Sequence, residues 1–301
     1  MRIFLVAALA TLALAGCASN KSTDGAAGTG TPGATPAGTS TQPLEAFDAA
    51  QFDAPTAVTN PWMPLKPGTR WVYEGVTVED DGTIVPHRFE SIVTDLTKEI
   101  GGVSSVVVWD LDFSDNELVE AELAFFAQDK EGNVWRMGEY PEEYDEKKLV
   151  GHPSWIHGIE EARAGIMMKA TPTVGTPSYS QGWGPAVNWT DRAQVDSVGT
   201  KVCVKADCYD DCIVISETSQ AEAAVDAHQL KHFARNVGNV YVGWRGAGEK
   251  TKEVLELVKV EQLDARALAA ARAKALELEA SAYKNSPDVY GKTPPSKASG
   301  S

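Results

Sequence analysis

The chain has few positive charges, few cysteines and no long hydrophobic run, and these shortages exclude several classes of protein. Its 301 residues carry 27 Lys and Arg against 42 Asp and Glu. A surface this acidic repels nucleic-acid phosphates and anionic headgroups, so we predict no nucleic-acid partner. The most apolar run, residues 3–15, is shorter than the roughly 20 residues of a membrane-spanning helix. A permanent transmembrane helix is therefore not predicted.

Sequence motifs of common catalytic and cofactor sites are also missing. The chain contains no G-x-S-x-G, G-x-G-x-x-G or Walker sequence. We therefore predict no cofactor and name no catalytic residue, although two catalytic groups far apart in the sequence would escape such a search. A non-catalytic role is favoured over an enzyme.

The N-terminus has the layout of an export signal. Arg2 supplies a positive charge, residues 3–15 are almost all apolar or small, and Leu14-Ala15-Gly16-Cys17 closes the segment. That closing sequence resembles the lipobox of bacterial lipoproteins. The resemblance implies that Cys17 receives a diacylglycerol, that residues 1–16 are removed, and that the new amine is acylated, for example with palmitate. Two or three acyl chains hold a protein on a membrane, whereas one chain binds only marginally.

The residues after Cys17 predict where the anchored protein resides. By analogy with lipoprotein sorting, Ala18-Ser19 lacks the Asp that favours retention in the inner membrane. We expect a lipid-anchored protein of the cell envelope, held in the outer membrane if the organism has one. The sequence leaves open whether the domain faces the periplasm or the cell surface.

Composition divides the mature chain into four parts. Residues 17–45 are mostly Gly, Ala, Thr, Ser and Pro, which cannot bury enough apolar surface to fold, so we predict a disordered tether after the acylated cysteine. Residues 46–262 are predicted to form one antiparallel β domain. A helix is predicted at 263–285, and a disordered tail at 286–301.

Turn signals separate β-rich segments throughout the central domain. Pro67-Gly68, Asp81-Gly82 and Gly101-Gly102 flank segments of alternating or β-branched residues. Strands are predicted at 69–78, 84–100, 103–113, 118–128, 134–138, 193–205, 213–219, 228–244 with a break near 236–239, and 253–260. The polar residues 140–148 are predicted to form a solvated loop. This order predicts a mainly β fold, an antiparallel meander that curves into a half-barrel or barrel, with a C-terminal amphipathic helix on it or across its mouth.

Several stretches of the domain together resemble a family of bacterial secreted proteins and lipoproteins. They are NP at 60–61 with PLKPGTRWVYEG at 64–75, AQD at 127–129 with GNVW at 132–135, and GIMM at 165–168 followed by Pro172, VG at 174–175 and Tyr179. The resemblance covers roughly residues 58–260 and implies a continuous β-sheet domain. The family has no assigned activity, so no functional residue is carried over from it.

Three cysteines remain once Cys17 is acylated, and an oxidising compartment favours one disulfide among them. If a two-residue turn is centred on Asp207-Cys208, Cys203 faces Cys212 across the hairpin, which makes Cys203, Cys212 and Cys208 the disulfide candidates without deciding which two pair. Cys203 with Cys208 is the alternative. A metal site built on the three thiols is disfavoured, because the C-x4-C-x3-C spacing matches no common zinc pattern.

Histidines and paired carboxylates are the remaining candidates for chemistry. His228 and His232 lie in an alternating sequence, and residues four apart on a strand are separated by roughly 13 Å, so no shared metal site is predicted. Asp110 and Asp112 lie on one face of a predicted strand. They are compatible with acid-base chemistry, but a solvated face is favoured.

The predicted curved sheet favours a binding role. We expect an apolar small molecule or lipid, or a protein of the envelope, to bind on its concave face. The alternatives are a hydrolase that acts on envelope material and an aromatic platform that binds carbohydrate. The platform requires that two or more tryptophans lie exposed and roughly coplanar, among Trp62, Trp71, Trp155, Trp183 and Trp189.

Replacing Cys17 with Ala should release the protein from membranes while the domain stays folded, because the predicted tether separates the two. The measurement is the share of the chain in the membrane pellet after cell fractionation, with circular dichroism of the released protein. A Ser19→Ala chain should remain in the pellet. A Cys17→Ala chain that still sediments with membranes contradicts the anchor.

Overall fold

A computed structural model describes residues 42–219, 225–250 and 252–299. The predicted signal, Cys17 and most of the predicted tether lie outside the described residues. The strands, in chain order, are β1 Thr69–Val78, β2 Ile84–Ile100, β3 Val103–Ser114, β4 Glu117–Gln128, β5 Val134–Asp145, β6 Lys148–Gly151, β7 Trp155–Ile156, β8 Arg163–Met168, β9 Tyr179–Ser180, β10 Gly182–Trp183, β11 Asp191–Cys203, β12 Cys208–Ser219, β13 His228–Ala234, β14 Gly238–Arg245, β15 Lys252–Gln262 and β16 Lys297–Ala298. The α-helix α1 is Ala265–Asn285, and 3-10 helices lie at Ala49–Gln51, Pro185–Val187 and Tyr290–Lys292.

The strands form one antiparallel sheet that curves back on itself. Neighbouring strands follow the order β10-β8-β5-β4-β3-β2-β1-β15-β14-β13-β12-β11-β9, so most neighbours follow each other in the chain. β1 also pairs along its whole length with β15, from Thr69 opposite Gln262 to Val78 opposite Lys252. This pairing joins the two halves of the chain. The predicted mainly β fold with an antiparallel meander and a C-terminal helix is confirmed.

One short segment brings the two ends of the sheet together. β9 pairs with β11, and β10, only one residue later, pairs with β8. Between them, the Gln181 N–H donates to the Asp191 carbonyl at 2.8 Å. At Gly165 of β8 an added Cβ would lie 2.3 Å from the backbone nitrogen of Gly182, so a side chain at this position would block the approach. The sheet is thereby nearly closed into a barrel.

The proline-rich stretch before β1 covers one end of this barrel, which we call the plugged end. The Asn60 side chain donates to the carbonyls of Gly132, at 2.8 Å, and Lys169, at 3.2 Å. Trp62 is buried, with the guanidinium carbon of Arg235 at 4.4 Å from its ring centre. These contacts tie the stretch to the β4–β5 turn, the end of β8 and the β13–β14 turn. The other end, where β1–β2, β3–β4 and β5–β6 turn, is called the open end.

The helix α1 packs on the outer face of β2 and β4 rather than across the mouth of the barrel. Asp264 caps its N-terminus by accepting from the Ala267 N–H at 2.8 Å. The buried apolar face is Ala271, Ala275, Leu278 and Ala282, which matches the periodicity of the sequence. Lys98 of β2 is also buried under the helix, where its Nζ lies 2.9 Å from Glu279 Oε1. Within the described ranges, no helix is both long enough and apolar enough to cross a membrane.

Residues 286–299 pack against the domain, so the predicted disordered tail is wrong over this range. Tyr290 is fully buried, and its hydroxyl donates to Glu279 Oε1 at 3.0 Å. β16 then pairs with residues 96–97 of β2. The segment is polar, and the buried ring of Tyr290, the pairing of β16 with β2 and the hydrogen bonds of Ser296 to Glu279 hold it, none of which composition alone reveals. At the other terminus, the Pro43 carbonyl accepts from Arg192 at 2.9 Å, so the last part of the predicted tether also contacts the barrel.

The disulfide joins Cys203 to Cys208, and Cys212 is a buried free thiol. Of the two pairings that the sequence allows, the one between Cys203 and Cys208 is present, and the one between Cys203 and Cys212 is not. The reason is the position of the turn, because the Val204 N–H donates to the Asp207 carbonyl at 2.9 Å. The turn lies between Cys203 and Cys208, and the two cysteines are directly opposed in the register of β11 and β12.

Candidate functional site

Charged side chains line the inside of the barrel. The register places Asp110 opposite Glu122 and Asp112 opposite Glu120, so these carboxylates share one face of β3 and β4. That face is the interior, because Asp110 lines a central cavity together with residues of β1, β13 and β15. The interior carboxylates are Asp110, Asp112, Glu120, Glu122, Glu139, Asp191, Glu217 and Glu253, and the basic groups beside them are His87, Arg136 and Lys231. The predicted solvated face for Asp110 and Asp112 is therefore wrong.

His87 lies between two carboxylates. Its Nε2 is 2.7 Å from Asp112 Oδ1, and its Nδ1 is 3.1 Å from Glu253 Oε1. The hydroxyl of Thr77 is 3.2 Å from the same Nδ1. Burial is the largest single effect and opposes the charged imidazole, but the hydrogen bond to Asp112 and the charges of Asp112 and Glu253 together outweigh it and raise the pKa of His87 to about 9. His87 is therefore a cation at neutral pH.

Arg136 of β5 contacts one acid of the neighbouring strand β4 and one acid of its own strand. Its guanidinium contacts Glu122 and lies 2.5 Å from Glu139 Oε2, and all three side chains are buried. Burial and neighbouring acids raise the pKa of Glu139 well above its usual value, although Arg136 acts in the other direction. One cation thus stabilises more than one carboxylate.

Lys231 of β13 also pairs with an interior acid, as Arg136 of β5 does. Its Nζ lies 2.5 Å from Glu217 Oε2, and Gln181 of the closing segment donates to Glu217 Oε1 at 2.7 Å. The positive charges of Lys231 and Arg136 both act to lower the pKa of Asp191. The charged groups therefore link the two ends of the sheet through the interior.

The acids outnumber the bases, and several of them are partly or mostly protonated at neutral pH. Burial and the charge of Glu122 raise the pKa of Asp110 to about 7. Burial and Glu217 raise the pKa of Asp191 to about 8. Burial also raises the pKa of Glu253 to about 7. A carboxylate without counter-charge is costly in a dry interior, so these groups bind a proton instead.

A cavity of about 130 Å³ lies inside the barrel between the plugged end and the charged groups. Its aromatic lining is Trp71, Tyr73, Phe89, Phe126 and Phe233. Asp110 and Arg136 also line it, and Asp110 Oδ1 and Arg136 Nε have no hydrogen-bond partner among the described residues. A polar cavity of this size is large enough to hold water.

A larger cavity of about 450 Å³ lies at the open end. Its inner part is lined by the buried side chains of Thr77, His87 and Asp112. The other acidic groups of its lining are Glu79, Asp115, Glu117, Asp145 and Glu146, and the remaining base is Lys147. Apolar and aromatic contacts come from Leu118, Val119 and Tyr144. We call this cavity the end cavity.

The end cavity exists because β5 is longer than the sequence suggests. Residues 140–145, predicted to form a solvated loop, continue the strand, and Tyr140 is fully buried. The β5–β6 hairpin therefore reaches the open end and supplies Tyr144 and Asp145 to the cavity wall.

The tryptophans predicted to bind carbohydrate do not form an exposed platform. Trp62, Trp71, Trp155, Trp183 and Trp189 are all buried, at 9% exposure or less. Trp155 and Trp189 pack against each other with ring centres 4.8 Å apart. The predicted aromatic platform is therefore wrong, because the tryptophans fill the core.

The histidine and cysteine candidates do not come together in the structure. His228 and His232 lie on β13, as the alternating sequence predicts, and the Nδ1 of His228 contacts the Ser216 hydroxyl at 2.9 Å. Over residues 42–219, 225–250 and 252–299, no group of three or more His, Cys, Asp or Glu side chains is arranged to hold a metal ion.

The interior network was missed by sequence reasoning, although a signal for it is present. Asp110 and Asp112 alternate on β3, and Glu120 and Glu122 alternate on the next strand. Acids at every second residue share one face of their own strand, and a β-bulge between Asp112 and Phe113 sets the register that places the acids of β3 and β4 on the same face of the sheet. Such crowding requires counter-charges from elsewhere in the fold, and His87 and Arg136 supply them.

The fold and the site define a nearly closed antiparallel barrel with an acidic interior and an end cavity, and two solved structures are similar to this chain. One is a "putative exported protein with YmcC-like fold" from Bacteroides fragilis, with 10% identity, a TM-score of 0.38, and coverage of 66% of this chain and 98% of that chain. The other is a "putative lipoprotein" from Parabacteroides distasonis, with 12% identity, a TM-score of 0.32, and coverage of 67% and 99%. No protein-family model and no curated protein matches the chain.

The free energy of unfolding should fall as the pH rises from about 5 to about 9. The folded state raises the pKa values of Asp110, Asp191, Glu253 and His87, so it binds more protons than the unfolded state. The stabilisation that these four groups contribute is fully present below their pKa values in the unfolded chain. It is lost as the pH rises through their pKa values in the folded protein. Each extra bound proton gives a slope of about 1.4 kcal/mol per pH unit. Urea unfolding across this range measures the slope.

Glu253→Gln should flatten this dependence, because it removes one titrating acid and one partner of His87. Glu277→Gln, at an exposed position on α1, should leave the slope unchanged. Stability that rises with pH over the same window contradicts the protonation of the interior acids.

Proposed function

We propose that this protein is a lipid-anchored protein of the cell envelope that binds a small molecule in the end cavity of its barrel. The observation that carries the proposal is the cavity itself, with a volume of about 450 Å³. Ligand sites in proteins are typically concave and measure roughly 300–1,000 Å³. The membrane contact is made by acyl chains on Cys17, in the outer membrane where the organism has one.

The walls of the end cavity suit a ligand with an apolar part. Leu118 and Val119 of β4 and the ring of Tyr144 supply apolar surface, and the inner part is polar. A ligand that places its hydrocarbon part on this wall and its polar part inward matches both surfaces.

A protein partner on the concave face of the sheet is disfavoured. That face is the interior of a nearly closed barrel, with one end covered by the stretch that includes Asn60 and Trp62. The interior is reached from the open end, whose cavity accommodates a small molecule but no folded domain.

Leu118→Trp should weaken binding of 4-phenylbutan-1-ol by about tenfold, because the indole fills the space that the probe occupies. Isothermal titration of the full chain in detergent measures the dissociation constant. Leu276→Trp, at an exposed position on α1, should bind as the wild type does. If the wild-type chain does not bind this probe, or if both variants bind it equally, the end cavity is not the site.

A hydrolase is the second candidate, and one observation favours it. Thr77, His87 and Asp112 line the end cavity, with the hydroxyl 3.2 Å from one imidazole nitrogen and the carboxylate 2.7 Å from the other. This order of hydroxyl, imidazole and carboxylate is that of a catalytic triad. However, the pKa of His87 is raised to about 9, so the imidazole has no free lone pair at neutral pH to accept a hydroxyl proton. Binding is therefore the better-supported function.

The Thr77→Val variant separates the two functions, because it keeps the shape of the side chain and removes the hydroxyl. If the protein only binds, wild type and variant hydrolyse p-nitrophenyl acetate at the same background rate. A triad nucleophile would instead make the variant at least about 10³-fold slower. Such a loss would overturn the assignment of a non-catalytic role.

A further inference from the structure

The charges that line the end cavity are strongly unbalanced. Six carboxylates face two bases, His87 and Lys147. Lys147 is already 3.3 Å from Glu117, and both side chains are exposed, so this pair contributes little. His87 is already shared between Asp112 and Glu253. The remaining acids of the wall have no base among the cavity-lining residues.

Asp112 adds an independent observation at the inner part of the cavity. The residue is only 2% exposed, and its Oδ1 is the acceptor of the short contact with His87. Its Oδ2 is buried and has no hydrogen-bond partner among the described residues. A buried carboxylate oxygen without a donor is costly, and a donor from a ligand would remove this cost.

Glu79 shows the same lack of positive charge at the wall formed by the β1–β2 turn. Its pKa is raised by partial burial and then by the charges of Asp81 and Asp80. Like charges therefore crowd this side of the cavity, and a cation placed among them would relieve the repulsion.

We propose that the ligand of the end cavity is an amphipathic amine, whose ammonium group donates to Asp112 Oδ2 and is held by the surrounding carboxylates while its hydrocarbon part lies on Leu118, Val119 and Tyr144. This inference rests on the proposed binding function and names the class of its ligand. An ammonium has three donors and a full charge, which suits an unpartnered carboxylate oxygen in a mostly acidic pocket.

An organic cation fits this site better than a metal ion does. In the part of the chain that the structure describes, no three acidic, histidine or cysteine side chains converge as metal ligands. The carboxylates are instead spread around a cavity of about 450 Å³, which a single ion would not fill. A metal ion would also make no favourable contact with the apolar wall formed by Leu118, Val119 and Tyr144.

Three probes of matched shape test the inference on the full chain in detergent: 4-phenylbutylamine, 4-phenylbutan-1-ol and 4-phenylbutyrate. The amine should bind about tenfold more tightly than the alcohol, which corresponds to one charge-assisted hydrogen bond, and the acid should bind more weakly than either. Isothermal titration measures all three, with a detergent blank for each probe.

Variants show which carboxylate gives the preference for the amine over the alcohol. Asp112→Asn keeps the size of the side chain and should abolish the preference for the amine while binding of the alcohol is retained. Because Asp112 also partners His87, Glu79→Gln serves as a second variant that leaves this pair intact, and it should reduce the preference in part. Glu277→Gln, which removes an exposed carboxylate on α1, should leave the preference unchanged.

The outcomes separate this inference from the proposed function. If the alcohol binds and the amine binds no better, the cavity is a binding site but the amine assignment fails. If none of the probes binds, the proposed function fails with it. If calcium chloride binds stoichiometrically and displaces the amine, the site is an inorganic cation site and the assignment is overturned. Equal losses of preference in the Glu277→Gln control would show that net charge, rather than the cavity, attracts the amine.

Discussion

The pairing of a few buried bases with a larger number of buried acids is the constraint on which the rest of this structure depends. His87 and Arg136 each contact two carboxylates, and Lys231 contacts Glu217, so these bases fasten the strands from the inside of the barrel. Charge repulsion would otherwise oppose closure. The excess acids are accommodated by protonation, because a proton costs less than an unpaired buried carboxylate.

The same interior divides the barrel into two unlike ends. At the plugged end, Trp62 and the aromatic lining of the small cavity give an apolar, closed core. At the open end, Thr77, His87 and Asp112 lie at the bottom of a larger and mostly acidic cavity. A binding site at this end follows from the shape of the barrel, and its preference for a positive charge follows from the acids that the barrel encloses.

Much of the fold could be predicted, since strand alternation and turn residues are local signals. The predicted strands between Thr69 and Gln128 agree with the structure to within a residue, and the helix predicted at 263–285 is Ala265–Asn285. The candidate site could not be predicted in the same way. Asp110 and Asp112 lie on one face of a strand whether that face is exposed to solvent or buried. Alternation by itself does not say which face of the sheet becomes the interior of a barrel.

The alternation along each strand and the amphipathic helix follow from the sequence alone, because they depend on residues close together in the chain. The tertiary structure is needed to show that the acids of β3 and β4 share a buried face, that Cys203 pairs with Cys208, and that Tyr290 anchors the C-terminal segment. Closure through Gly165 and the pairing of β1 with β15 bring together residues far apart in the chain. Such contacts between distant residues place the acids of β3 and β4 inside the barrel.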